Sequence, residues 1–398
     1  MVGPRRAGKT WLLHRRAREL VAQGVPKDRI LYVNFEDERL ASLRAEDLGL
    51  LLEVHGALHP HTIGQERWLF LDEIHNVPGW DRFVRRLADQ ASLHVAVTGS
   101  SARLLSTEIA TSLRGRALTT ELLPLAFDEF LTFRGVTPPS SMPPDESGRA
   151  RLAAALREYL MVGGYPSVLT LDDRARRETL RGHVDVAILR DVVERHQVGQ
   201  VAALRWLVRR LIGSPGGAFS VHKAHADLRS QGLSIGKDTL HELVQHVQDA
   251  FLAFLVPIWS ESVQVRTAHP RKVYLADHGL ARSFWVRDQP GHTLENVVYL
   301  ELRRRGEEIG WWRTDGGFEL DFVAVRDGRL QLVQVCDDVS DPATLGRELR
   351  ATAAAMGELE VRESTVVTVA DHGEHHVPEG TITVVPAWRW LLEGRTDR

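Results

Sequence analysis

The residues best suited to chemistry stand at the front of the chain. Gly3-Pro4-Arg5-Arg6-Ala7-Gly8-Lys9-Thr10 has the spacing G-x-x-x-x-G-K-[ST]. In such a loop the glycines let backbone N–H groups curl around phosphate while the following helix points its positive end at the same anion. Gly3, Arg5, Arg6, Ala7 and Gly8 form the cradle on this reading, Lys9 reaches the β- and γ-phosphates, and Thr10 ligates Mg²⁺. Lysine occurs only at Lys9, Lys27, Lys223, Lys237 and Lys272, so a lysine inside the loop pattern stands out against the background. Further on, the apolar run in "RWLFLDEIHNVPGW" ends in Asp72 and Glu73. A buried strand presents such acids at the carboxyl edge of a parallel sheet, where ligands bind. Asp72 there supports Mg²⁺ through its water shell, and Glu73 polarises the water that attacks a phosphoryl group.

Two further groups belong to the same chemistry. "LHVAVTGSSARLLS" reads as another buried strand ending in Thr98, Ser100 and Ser101. Ser100 is the candidate that senses the γ-phosphate or orients water; the other reading is a Ser-rich turn that caps the next helix. In "TSLRGRALTTELL", Arg114 and Arg116 lack obvious acidic partners. An arginine donated to a neighbour's γ-phosphate supplies transition-state charge, whereas two solvated surface arginines are the plainer reading.

These side chains need a parallel sheet and a helix to hold them. "TWLLHRRARELVAQG" places Trp11, Leu13, Ala17, Leu20 and Val21 near helical spacing with Gly24 as a stop, and "RILYVNFED" reads as a buried strand. A phosphate loop is normally preceded by a strand, and only Met1 and Val2 stand before this one. The expectation is that the N-terminal strand is missing and that the native protein has residues upstream.

With 398 residues, 43% of them hydrophobic, the chain can bury more than one core, and its length suits about two or three domains. The net charge of -3 gives no global pull toward nucleic acid or anionic lipid, so any such contact needs a local patch. A single cysteine, Cys336, excludes an internal disulfide framework and a Cys-based zinc site. There is neither a signal peptide nor an apolar run near about 18 residues, so no membrane role and a cytoplasmic location are expected.

The Pro- and Ser-rich break "GVTPPSSMPPDESGR" separates a core at residues 1–135 from the rest of the chain. Residues 149–199 have helical patterns suited to a lid. Over 200–285, "SVHKAHADLRSQG" and "SIGKDTLHELVQHVQDA" read as helices followed by the strand-like "FLAFLVPIWS" and "RKVYLAD", a winged-helix-like order. The second helix offers Lys237, His241, Gln245 and His246 beside Asp238, Glu242 and Asp249, a mixed rather than basic face, so DNA reading and protein packing both stay open. Two clusters, His55, His59 and His61, and Asp371, His372, Glu374, His375 and His376, sit in polar turn-like stretches and favour no metal site.

"GPRRAGKT", "ILYVNFED", "LFLDEIH", "VTGSSARLLS", "LRGRA", "LPLAFDEF" and "VGGYPSVL", in this order, resemble the AAA-type P-loop ATPases of bacteria and archaea that carry a C-terminal restriction-endonuclease-like domain of unknown function. The resemblance implies an α/β fold: a parallel-sheet ATPase core with a helical lid, a winged-helix-like segment and a C-terminal α/β nuclease-like domain at 286–398. It also implies ATP and Mg²⁺ as cofactors and a homo-oligomeric ring, a hexamer first, in which Arg114 or Arg116 reaches the adjacent nucleotide. The implied work is remodelling of, or translocation on, DNA or a DNA-bound complex, branched DNA included. A slow nucleotide-controlled scaffold or switch for protein partners, engaged through the winged-helix or C-terminal domain, is the alternative.

In the C-terminal segments "LENVVYLELRRRG" and "FELDFVAVRDGRLQLVQVC", the nuclease pattern places Glu295 as the helix acid, Asp321 as the first strand ligand and Gln334 as the second. The position of the catalytic lysine is Cys336, and no lysine follows Lys272. A neutral amide is also a poorer ligand than a carboxylate for a hard cation. The domain is therefore expected to be a degenerate, binding platform, with metal-dependent nuclease activity as the lesser reading.

Overall fold

A strand buried on both faces needs an unbroken apolar run, and "WLFL" supplies one. It forms the centre of a parallel sheet of order β1-β2-β3, with β1 (Ile30–Asn34), β2 (Arg67–Asp72) and β3 (Leu93–Val97). The computed structural model describes residues 1–101, 117–137, 144–284 and 290–393. The chain divides into two units, Met1–Leu122 with Asp249–Phe251, and Leu123–Gln248 with Leu252–Arg398.

In the first unit the sheet continues past β3. Val2 bridges to Gly99 and Glu121 in parallel, the Met1 nitrogen donates to the Val97 carbonyl (2.8 Å), and the Leu122 N–H donates to Val2 (2.7 Å). The sheet position expected to lack its strand is thus held by two residues. Helix α1 (Lys9–Ala22) lays Leu13 and Leu20 on Phe70, with Ala17, Ile30, Tyr32 and Trp68 packed around them. Trp11, which shares their helical spacing, instead lies 70% exposed, because one apolar stripe already suffices to cover the sheet. Helix α2 (Leu50–Leu58) precedes β2 and α3 (Trp80–Ala88) follows it. The latter buries Trp80, Phe83, Val84 and Leu87 and leaves Arg82, Arg85 and Arg86 exposed, the division that a 3.6-residue period requires.

The second unit begins with helices α4 (Phe127–Phe133), α5 (Glu146–Val162) and α6 (Asp173–Val186). Then come α7 (Val201–Ile212), β4 (Ala218–Phe219), α8 (Val221–Ser230), α9 (Lys237–Asp249), β5 (Ala253–Val256), α10 (Val263–Ala268) and β6 (Arg271–Leu275). The three strands pair antiparallel in the order β4-β6-β5. On α9, Lys237, Asp238, His241, Glu242 and Gln245 are exposed while Asp249 is buried. After α11 (His278–Phe284) and α12 (Pro290–Arg304) comes a mixed six-stranded sheet of order β11-β12-β10-β9-β8-β7. Its strands are β7 (Glu308–Arg313), β8 (Glu319–Arg326), β9 (Arg329–Val335), β10 (Glu363–Thr368), β11 (Gly373–Val377) and β12 (Gly380–Pro386). Helix α13 (Pro342–Glu358) is the crossover that lets β9 and β10 run parallel, and α14 (Ala387–Glu393) closes the described chain. Leu320, Val323, Leu332, Cys336, Ala355, Met356, Val366, Ile382 and Val384 make one core cluster.

"VGGYPSVL" acquires a structural reason. The Asp277 carboxylate, fully buried, accepts the Gly164 N–H (2.6 Å) and the Gly279 N–H (2.8 Å). Gly163 has φ 88°, and a Cβ there would stand 2.5 Å from Asp277 Oδ1. Asp277→Ala leaves two buried donors unpaired and should cost about 2–4 kcal/mol; urea unfolding followed by tryptophan fluorescence and circular dichroism checks it, and a loss near zero contradicts the assignment.

Candidate functional site

The phosphate loop is built from backbone that most residues avoid. Gly8, at the N-terminal end of α1, has φ 110°, and Arg6, exposed at the loop's apex, has φ 65°. Gly3 faces the Leu122 carbonyl so closely that a Cβ would come within 2.0 Å of its oxygen. Both glycines of the motif therefore answer to local sterics. Arg5 pairs with Glu36, just past β1, and Ala7 is buried.

Lys9 is only 4% exposed. Its ammonium donates to the carbonyls of Gly3 and Pro4 (3.1 Å each) and pairs with Glu73 Oε1 at 3.3 Å. Asp72, at the carboxyl end of β2, is the hub: Oδ2 accepts from Thr10 Oγ1 (2.7 Å) and Tyr32 OH (2.8 Å), and Oδ1 accepts from Thr98 Oγ1. The Thr98 hydroxyl in turn accepts the Glu73 N–H (2.8 Å). Thr98 at the end of β3, Thr10 on α1 and Tyr32 on β1 thus lock both acids from three elements. Burial and the Asp72 carboxylate push the Tyr32 phenol well above its ordinary value, so it stays a donor.

Glu73 sits at φ 53°, a strained left-handed conformation for a side chain of this size. Burial pushes its carboxyl up against the pull of Lys9 and Arg5, and its Oε2 lies 3.2 Å from His75 Nδ1. A carboxyl raised above its ordinary value by burial, within reach of the lysine that meets phosphate, suits a group that polarises water. Ser100 is buried two residues past Thr98. Arg114 and Arg116 lie outside the described residues.

Of the nine sequence-predicted residues of the loop and acidic pair, the structure brings Gly3, Lys9, Thr10, Asp72 and Glu73 into one bonded group. Sequence reasoning missed Tyr32 and His75 and singled out Thr98 only as one of three hydroxyls. Nothing in the stretches of sequence around Tyr32 and His75 marks either as a partner of the acids.

In the second unit, Glu295 on α12, Asp321 on β8 and Gln334 on β9 converge as expected, but with a lysine among them. Lys272 Nζ of β6 lies 2.7 Å from Asp321 Oδ1, 2.8 Å from Glu319 Oε1 and 3.1 Å from Glu295 Oε1. The Asp321 N–H donates to Gln334 Oε1 (3.0 Å). Burial works to lower the Lys272 ammonium, and the surrounding carboxylates more than reverse it; burial works to raise Glu295, and Lys272 chiefly holds it below the usual carboxylate range. Cys336, at the expected lysine position, is a core residue whose thiol burial pushes up. Among the described residues, no group of three or more His, Cys, Asp or Glu side chains is placed to hold a metal ion, and no helix is long and apolar enough to cross a membrane.

Comparison with known proteins gives three family matches: an AAA domain over residues 1–131, and domains of unknown function over 153–290 (DUF8612) and 290–390 (DUF4143). An uncharacterized protein of Methanocaldococcus jannaschii is 34% identical over 400 residues, covering 98% of this chain and 87% of its own. One of Haemophilus influenzae is 29% identical over 344 residues, covering 85% and 82%. Among solved structures, a Walker-type ATPase of Pyrococcus abyssi is similar at 16% identity and a TM-score of 0.42, covering 71% of this chain and 89% of that one.

Gly3→Ala provides the sharpest check on the loop. It should weaken triphosphate binding at least about tenfold, or about 1.4 kcal/mol, in a fluorescent-nucleotide titration, since the loop must move off Leu122 to admit the methyl. Unchanged affinity would show that the loop geometry does not govern binding.

Proposed function

Because the chain belongs to the AAA-type P-loop ATPases that carry a C-terminal domain of unknown function, we propose that it hydrolyses ATP and couples that hydrolysis to remodelling of, or translocation on, DNA or a DNA-bound complex, branched DNA included. The observation that carries the hydrolytic part is the bonded group Lys9, Thr10, Asp72 and Glu73, locked by Tyr32 and Thr98. Lys9 binds the β- and γ-phosphates and steadies the charge that builds there; Glu73 takes the proton of the attacking water. The Thr10 hydroxyl and Asp72 carboxylate, 2.7 Å apart, form the donor set that would hold Mg²⁺, which supplies neutralising charge at the phosphates when bound.

The DNA part of the proposal draws on the winged-helix-like order of α7 to β6 and on the resemblance of the whole chain. In the assembled form, a ring with six subunits as the first expectation, Arg114 or Arg116 of one subunit reaches the γ-phosphate held by the next. A second reading is favoured by a specific contact. Glu73 is held between Lys9 and His75, so turnover is slow until a partner protein frees it, and the chain then acts as a nucleotide-controlled switch.

ATP turnover with and without duplex, single-stranded and branched DNA distinguishes the two. Glu73→Gln should lower turnover about 100-fold or more while ATP still binds, and Lys9→Ala should lose binding as well. Stimulation by one DNA form marks the remodeller; stimulation by none, with slow basal turnover, marks the switch. Mixing Lys9→Ala with an Arg114→Ala, Arg116→Ala variant should recover part of the turnover that each lacks alone, and no recovery contradicts an arginine donated between subunits.

A further inference from the structure

The restriction-endonuclease-like pattern implies a divalent metal between the helix acid and the strand acid, and the residues present do not fit one. Gln334 turns its amide away from that role: Oε1 accepts the Asp321 N–H and Nε2 donates to Glu348 Oε2 (2.9 Å). Asp321 Oδ2 accepts the Val335 N–H (3.0 Å), and Glu295 Oε1 accepts Tyr274 OH (2.8 Å). The space between the carboxylates of Glu295 and Asp321 is filled by the Lys272 ammonium. Two of its protons go to Asp321 Oδ1 (2.7 Å) and Glu295 Oε1 (3.1 Å), and the half-exposed Glu319 carboxylate stands 2.8 Å away as a third ion partner. The ammonium is thereby directed at the acids of its own site.

We infer that Lys272 is the resident cation of this site, bridging Glu295 and Asp321 in the place where a nuclease of this fold holds its metal. The inference stands independently of the ATPase reading. The lysine comes from the region matched over 153–290 and the acids from the region matched over 290–390, so the cation also fastens the two regions together. Neighbouring contacts do the same: Asn296 exchanges two hydrogen bonds with the Leu275 backbone (2.8 and 3.0 Å), and Tyr274 stacks on Tyr299 at 4.4 Å.

The test is titration of the full chain with Mn²⁺ alone, without nucleotide, read by paramagnetic resonance and by thermal unfolding. The parent protein and Asp321→Asn should take up the same amount of Mn²⁺, because in the parent Lys272 already occupies the place between Glu295 and Asp321. Lys272→Ala should gain one Mn²⁺ site, with a Mn²⁺-dependent rise in melting temperature, and a further Asp321→Asn should abolish both. If Lys272→Ala does not fold, the triple variant Lys272→Met, Glu295→Gln, Asp321→Asn, which removes both signs of charge, should fold and ignore Mn²⁺. The inference is overturned if the parent binds Mn²⁺ in a way that Asp321→Asn abolishes, if it cuts DNA with Mn²⁺ and Asp321→Ala stops it, if Lys272→Ala folds without gaining a site, or if neither Lys272→Ala nor the triple variant folds.

Discussion

A buried ammonium is tolerable only where carbonyl and carboxylate oxygens take its protons, since leaving it unpaired costs several kcal/mol. This chain buries two of its five lysines to within a few per cent of full burial, and each is met by acids drawn from other elements. Lys9 is caught by the loop carbonyls and Glu73; Lys272 by Asp321, Glu319 and Glu295. Each lysine therefore dictates where a helix start and a strand end must meet. In the first unit these are the start of α1 and the end of β2, and in the second the start of α12 and the strands β6 and β8.

What differs is whether the buried cation has something to exchange for. Lys9 holds two carbonyls at 3.1 Å and a carboxylate at 3.3 Å, partners at the long end of hydrogen-bond range, which an incoming phosphate can replace with a stronger charge-assisted contact. Lys272 holds three carboxylates, the nearest at 2.7 Å. A phosphate could match neither their number nor their combined charge. The same side chain is thus available in one site and committed in the other.

How far the sequence revealed these arrangements depends on how local each one is. The phosphate loop is eight consecutive residues, and the backbone at Gly3 and Gly8 demands what the glycines supply, so it was legible in full. Asp72 and Glu73 were legible because a strand end faces the ligand edge. Tyr32 and Thr98 reach Asp72 from positions 40 and 26 residues distant, and nothing in their own neighbourhoods announces the acid they serve. Lys272 was not legible as part of the acidic site because it precedes the acids in the chain, carried in on β6 and pairing across 49 residues. Helix α1 teaches the converse: Trp11 had the right spacing for burial, yet the sheet face beneath the helix was already filled by Leu13 and Leu20.

The way the phosphate loop is braced ties it to residues remote in sequence. Val2 lies between Gly99 and Glu121, and the next residue, Gly3, presses its Cα side against the Leu122 carbonyl. Leu122 is the last residue of the first unit's main segment, and Leu123 begins the second. With no side chain on Gly3, the loop backbone packs directly on the Leu122 peptide. The Leu122 N–H, bonded to Val2 at 2.7 Å, holds that peptide beside the sheet. The motif's first glycine is therefore required by a contact with a segment remote in sequence as well as by the phosphate it would face.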